Sequence, residues 1–87
     1  MPEYDNNFLD AEDLVECLSR GCEVEFLYNG KKYSITHTIE GEVAVTEFYN
    51  EASGRTYPDG RQALAYELGE KKIKDIIAEM KIIDRSF

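Results

Sequence analysis

The 87 residues include no tryptophan, a single histidine (His37), two cysteines (Cys17 and Cys22) and two prolines. Each scarcity excludes something. One histidine and two cysteines make a poor zinc set, which takes about four N or S ligands. Nucleophilic catalysis of the Ser/His/Asp kind would rest on His37 alone. Its neighbour Ser34 falls on the same expected strand, with no third partner evident. Positive charge is also scarce: 10 Lys and Arg stand against 18 carboxylates, a net of −8. A phosphate backbone is held by Lys and Arg that displace counterions, so direct nucleic-acid binding is not expected. Adsorption to an anionic membrane is disfavoured for the same reason. No apolar run approaches the roughly 20 residues of a membrane span. The start, Met1-Pro2-Glu3-Tyr4-Asp5, shows neither the basic region nor the apolar segment of a signal peptide. The expectation is a single cytoplasmic domain over 1–87, with 1–8 a loose tail and the cysteines present as small, partly buried thiols.

What is present is enough for a core. Hydrophobic residues make up 43% of the chain, above what acidic disordered chains carry. The charge is lopsided, since the first 27 residues hold eight carboxylates and one base, Arg20.

Asp10 is placed to cap a helix over about 10–20, with Glu12 and Asp13 in its first turn against the helix dipole. Leu9 and Leu14 have the spacing of a hydrophobic staple. Ala11, Leu14, Val15 and Leu18 form one apolar face, and Gly21 ends the helix. Next, Glu23–Tyr28 and Lys31–His37 alternate around Asn29-Gly30, the pair preferred in type I′ hairpins. A two-residue loop sets Tyr28 opposite Lys31, Phe26 opposite Tyr33 and Val24 opposite Ile35. Residues 42–49 supply a third strand, with Ile35 opposite Val45 and His37 opposite Val43. Residues 50–60 collect Asn, Ser, Gly, Pro and Asp and read as a loop. Asp59 and Gln62 suggest a capping box opening a helix at about 60–68. Ile73, Ile76, Ile77 and Met80 then follow helical spacing within 70–80. Residues 81–87 are either a short fourth strand or a tail. The expected fold is α+β: a three-stranded antiparallel meander packed on one face by an N-terminal helix and C-terminal helices.

Binding is the function these residues suggest, not catalysis. Carboxylate pairs are plentiful, but none sits beside an apolar pocket that would split their pKa values. Asn29-Gly30-Lys31-Lys32 lacks the spacing of a phosphate loop and precedes no helix. No catalytic residue, cofactor or metal is expected. On the meander's outer face, Leu27, Lys32 and Phe48 line up across the strands. The neighbouring rows are Glu25/Ser34/Thr46 and Glu23/Thr36/Ala44. Two large apolar side chains on a polar face suggest an interaction patch, unless Ile82, Ile83 and Phe87 fold over them. Asp5, Asp10, Glu12, Asp13, Glu16, Glu23 and Glu25 gather carboxylates around the helix and first strand. Such a cluster either solubilises or meets a basic partner, in the extreme imitating a nucleic-acid backbone.

The run Glu25–Thr36 resembles that of short uncharacterised proteins from low-GC Gram-positive bacteria and their mobile elements, with a further likeness over Lys71–Arg85. The resemblance implies a bacterial or phage origin and attaches no activity. The functional expectation is a non-enzymatic acidic protein-binding module, such as a phage or mobile-element inhibitor that blocks a basic surface of a bacterial protein. The alternative is a small accessory protein acting as a homodimer through the same sheet face.

Overall fold

The structure is a computed structural model and describes residues 8–86, with side chains through Arg85. Helix α1 spans Ala11–Ser19. Asp10 accepts the Asp13 N–H at 2.9 Å, and Asp13 in turn accepts the Leu9 N–H at 3.0 Å, so one donor of the first turn and one just ahead of the cap are satisfied. The expected staple does not form. Leu9 is exposed, and Phe8 is buried in its stead, so the tail is not loose at that residue. Asp5 and the rest of 1–7 lie outside the described residues.

The helix ends in a Schellman motif. Gly21 takes φ +89°, its N–H donates to Leu18 O at 3.0 Å, and the Cys22 N–H donates to Cys17 O at 3.1 Å. In that motif the residues flanking the two carbonyl–amide closures touch through their side chains. Here those residues are Cys17 and Cys22, and the structure joins them in a disulfide with Cα atoms 5.3 Å apart. This corrects the expectation of two separate thiols.

Strands β1 (Glu23–Tyr28), β2 (Lys31–His37), β3 (Val43–Glu47), β4 (Asn50–Tyr57) and β7 (Lys81–Ser86) build one antiparallel sheet in the order β4-β3-β2-β1-β7. Asn29 and Gly30 sit at φ 54° and 80°, as a type I′ turn requires. The β1–β2 register pairs Tyr28 with Lys31, Phe26 with Tyr33 and Val24 with Ile35. The β2–β3 register pairs Ile35 with Val45 and His37 with Val43. Both agree with the pattern of alternation, because a one-residue slip would turn the apolar set outward.

The three-stranded meander is contradicted: the sheet has five strands. Residues 50–57 form β4, not a loop. A mostly exposed edge strand has too little burial to impose an apolar period, which hides it among turn-forming residues. Arg55 Nη1 donates to the carbonyls of Ala52 and Gly54 at 3.2 and 2.8 Å, blunting that edge. The C-terminal segment does not fold over the outer face; it runs as β7 beside β1, with Ile82 opposite Phe26 and a register shift that breaks the other edge.

The two C-terminal helices are also overturned. Helix α2 is a single turn, Gly60–Ala63, capped by Asp59, which accepts the Gln62 N–H at 2.9 Å. A small hairpin follows, β5 (Glu67–Leu68) and β6 (Lys71–Lys72), reversing at Gly69 with φ +76°. Residues 73–80 then form two 3-10 turns, Ile73–Asp75 and Ile77–Glu79. With three residues per turn, i and i+3 share a face, so Ile73 and Ile76 are buried together without an α-helix. One face of the sheet (Val24, Phe26, Tyr33, Ile35, Val43, Val45) packs with Leu14, Leu18, Ile73, Ile76 and Met80 into the core. The alternate residues, on the other face, are exposed or half-buried. Among the described residues, no helix is long and apolar enough to cross a membrane.

Candidate functional site

The sheet's uncovered face carries the row anticipated from register. Leu27 pairs with Lys32 across β1 and β2, and the Phe48 N–H donates to Lys32 O at 2.8 Å. Leu27 is 38% exposed. The Lys32 ammonium lies 4.4 Å from the centre of the Phe48 ring and 3.8 Å from Glu25 Oε1. A cation over an aromatic face holds both side chains in place at modest cost, since each remains hydrated on its outer side. Strand β7 extends the row by setting Lys81 opposite Leu27, and it adds exposed Ile83 nearby.

Tyr49 was not singled out from sequence, which placed it inside a strand. It is the second residue of the two-residue turn joining β3 to β4, fully exposed, at φ +65°. Its ring meets Phe48 edge-on with centres 6.0 Å apart. A side chain at positive φ crowds its own carbonyl, so glycine or asparagine is the usual choice there. The signal in the sequence was the missing glycine: two strands joined at Phe48-Tyr49 with no turn residue between them.

The carboxylates do not form one surface. Asp10, Glu12, Asp13 and Glu16 belong to α1, on the covered side of the sheet. Glu23 and Glu25 alternate with buried Val24 and therefore lie on the opposite side. Most are engaged within the molecule. Glu12 receives both Arg61 nitrogens, at 2.6 and 2.8 Å, and this hydrogen-bonded cation holds its carboxyl below the usual glutamate range. Glu16 pairs with Arg20 at 2.7 Å, Asp13 faces Arg85 at 3.9 Å, and Glu23 accepts the His37 N–H at 3.3 Å.

His37 is half-buried. Its Nε2 donates to Leu18 O at 2.9 Å, tying β2 to the end of α1, and its buried Nδ1 is left without a donor. That contact makes the imidazole a latch between helix and sheet. Among the described residues, no three His, Cys, Asp or Glu side chains are grouped to hold a metal ion. A cavity of about 390 Å³ opens between the ends of β2, β3 and β4 and the β5–β6 hairpin. No family, no curated protein and no solved structure matches this chain.

Proposed function

We propose that the chain is a non-enzymatic protein-binding module that docks its partner on the uncovered face of the sheet, with Leu27, Phe48 and Tyr49 as anchors. The observation that carries this reading is Tyr49, an exposed aromatic side chain kept at a backbone angle that a smaller residue would hold at less cost. Strain of this kind clusters at sites where something other than local stability retains it. Exposed aromatic and aliphatic groups in one row supply the desolvated centre that interfaces are built around. Glu23, Glu25 and Asp84, at neighbouring register positions on the same face, select a basic partner surface. Occupying and blocking such a surface on a bacterial protein is the activity this arrangement serves. The α1 carboxylates stay outside the proposed contact, because α1 packs on the covered side of the sheet.

A second copy of the chain is the other occupant to consider. The face carries both signs, Lys32 and Lys81 at the Leu27 end and Glu23 at the other, so a two-fold arrangement would be self-complementary. Solution mass at micromolar concentration separates the two readings. A monomer that captures a bacterial protein, and loses it on Leu27→Ser with Phe48→Ser, supports the first. A dimer abolished by those substitutions supports the second.

A further inference from the structure

The cavity between the sheet and the β5–β6 hairpin lies on the side of the sheet opposite the docking row, and its chemistry is different. Tyr33, Tyr57 and Tyr66 line it, with Lys31, Glu47 and Arg55 around them. Tyr33 is only 5% exposed, stacked on Phe26 with ring centres 5.3 Å apart and met edge-on by Tyr66 at 6.4 Å. Tyr66 donates to Ser53 O at 3.1 Å. The Tyr33 and Tyr57 hydroxyls, by contrast, have no hydrogen-bond partner among the described residues. Both hydroxyls open onto the cavity, where they are free to donate to something held in it. Burial raises the pKa of both phenols above the ordinary tyrosine value, which keeps them protonated and able to donate.

The charges narrow the choice. Lys31 and Arg55 would welcome an anion, but Glu47 and Glu67 line the same space. A simple anion meets two carboxylates, and a simple cation meets two bases. The Lys31 ammonium stands 4.0 Å from Glu47 Oε2, a loose pair whose members can each turn to a ligand group of opposite sign. The Glu47 side chain is 23% exposed, so its charge is only partly screened. A volume of about 390 Å³ is at the small end of ligand cavities.

We propose that this cavity binds a small zwitterion bearing one carboxylate and one ammonium, of free amino-acid or dipeptide size. The carboxylate accepts from the Tyr33 and Tyr57 hydroxyls and Lys31, and the ammonium donates to Glu47. The site does not depend on the docking face, and its test leaves that face untouched.

The test is an amide-resolved NMR titration of the full chain with the common free L-amino acids, with diglycine, and with acetate and methylammonium as one-charge controls. At least one zwitterion should give saturating shifts at Ser53, Arg55, Tyr57 and Gly69 below about 10 mM. Acetate and methylammonium should each bind at least roughly tenfold more weakly, and so should the zwitterion in Tyr57→Phe, which keeps the ring and loses one hydrogen bond. Glu47→Gln should erase the preference for the zwitterion over acetate while the folded spectrum persists. Absence of saturating shifts with every zwitterion overturns the proposal. Equal or tighter binding of acetate or methylammonium overturns it as well.

Discussion

The Lys32 ammonium stands 4.4 Å above the ring of Phe48, and the backbone N–H of Phe48 donates to the carbonyl of the same lysine. The start of β2 and the β3–β4 turn are thereby joined through main chain and side chain at once. Half-buried Phe48 and exposed Tyr49 are thus tied to Lys32, the cross-strand partner of Leu27, and these contacts restrain the side chains of the row. Rigidity matters for a binding surface, because less side-chain freedom is lost on contact.

Gly60 opens α2 directly against α1. A Cβ there would lie 2.9 Å from Leu18 Cβ and 3.1 Å from its Cδ1. Leu18 is itself in the core, so it has little room to yield. Gly60→Ala should destabilise the fold by about 1–3 kcal/mol through overpacking. Urea unfolding measures it, and an unchanged midpoint would mean that the helices separate freely.

The Glu12–Arg61 pair joins the same two helices from outside. The folded state holds the Glu12 carboxyl below its ordinary pKa, first through the Arg61 hydrogen bond and then through its charge. The contribution is therefore present above the ordinary glutamate range and lost as pH falls through the lowered value. Glu12→Gln should be less stable than the native chain near neutral pH, with the two curves converging in acid. Salt should narrow the gap, since both side chains are exposed. Parallel curves at all pH values would show that the pair does not matter.

The Cys17–Cys22 disulfide closes a short loop, so the chain-entropy model assigns it only about 2 kcal/mol. The Schellman hydrogen bonds and the burial of both residues persist without the bond. Reduction should lower the unfolding free energy by that amount while the far-ultraviolet dichroism of the folded state is retained. Complete unfolding on reduction would make the disulfide a condition of the fold.

How much of this was legible follows from where burial and turn chemistry cooperate. Asp10, Gly21 and the Leu14/Leu18 face mark α1 on both ends and one side. Asn29-Gly30 and the alternation of Val24, Phe26, Tyr33 and Ile35 specify one register. Strand β4 carries neither signal, because it is an exposed edge and its turn uses Tyr49 where glycine would have announced it. Ile73, Ile76 and Met80 satisfy an α-helical spacing, but Gly69 and the Leu68–Lys71 pairing redirect the chain into a hairpin and then 3-10 turns. For the candidate site, Leu27, Lys32 and Phe48 were readable from register alone. The pairing of the α1 carboxylates with Arg61 and Arg85 was not, because those partners come from distant parts of the chain.

The most direct test of the docking face replaces Tyr49 by glycine and reads stability and capture together. Relief of the positive φ, less the added freedom of glycine in the unfolded chain, should raise stability by roughly 0.5–1 kcal/mol. Quantitative capture from a bacterial lysate, comparing the native chain with Tyr49→Gly, Leu27→Ser and the α1 control Glu16→Gln, should show one protein retained by the native chain and the control. That protein should be depleted about tenfold or more by each of the other two. A Tyr49→Gly chain that is more stable and still captures the same protein undiminished would contradict the account.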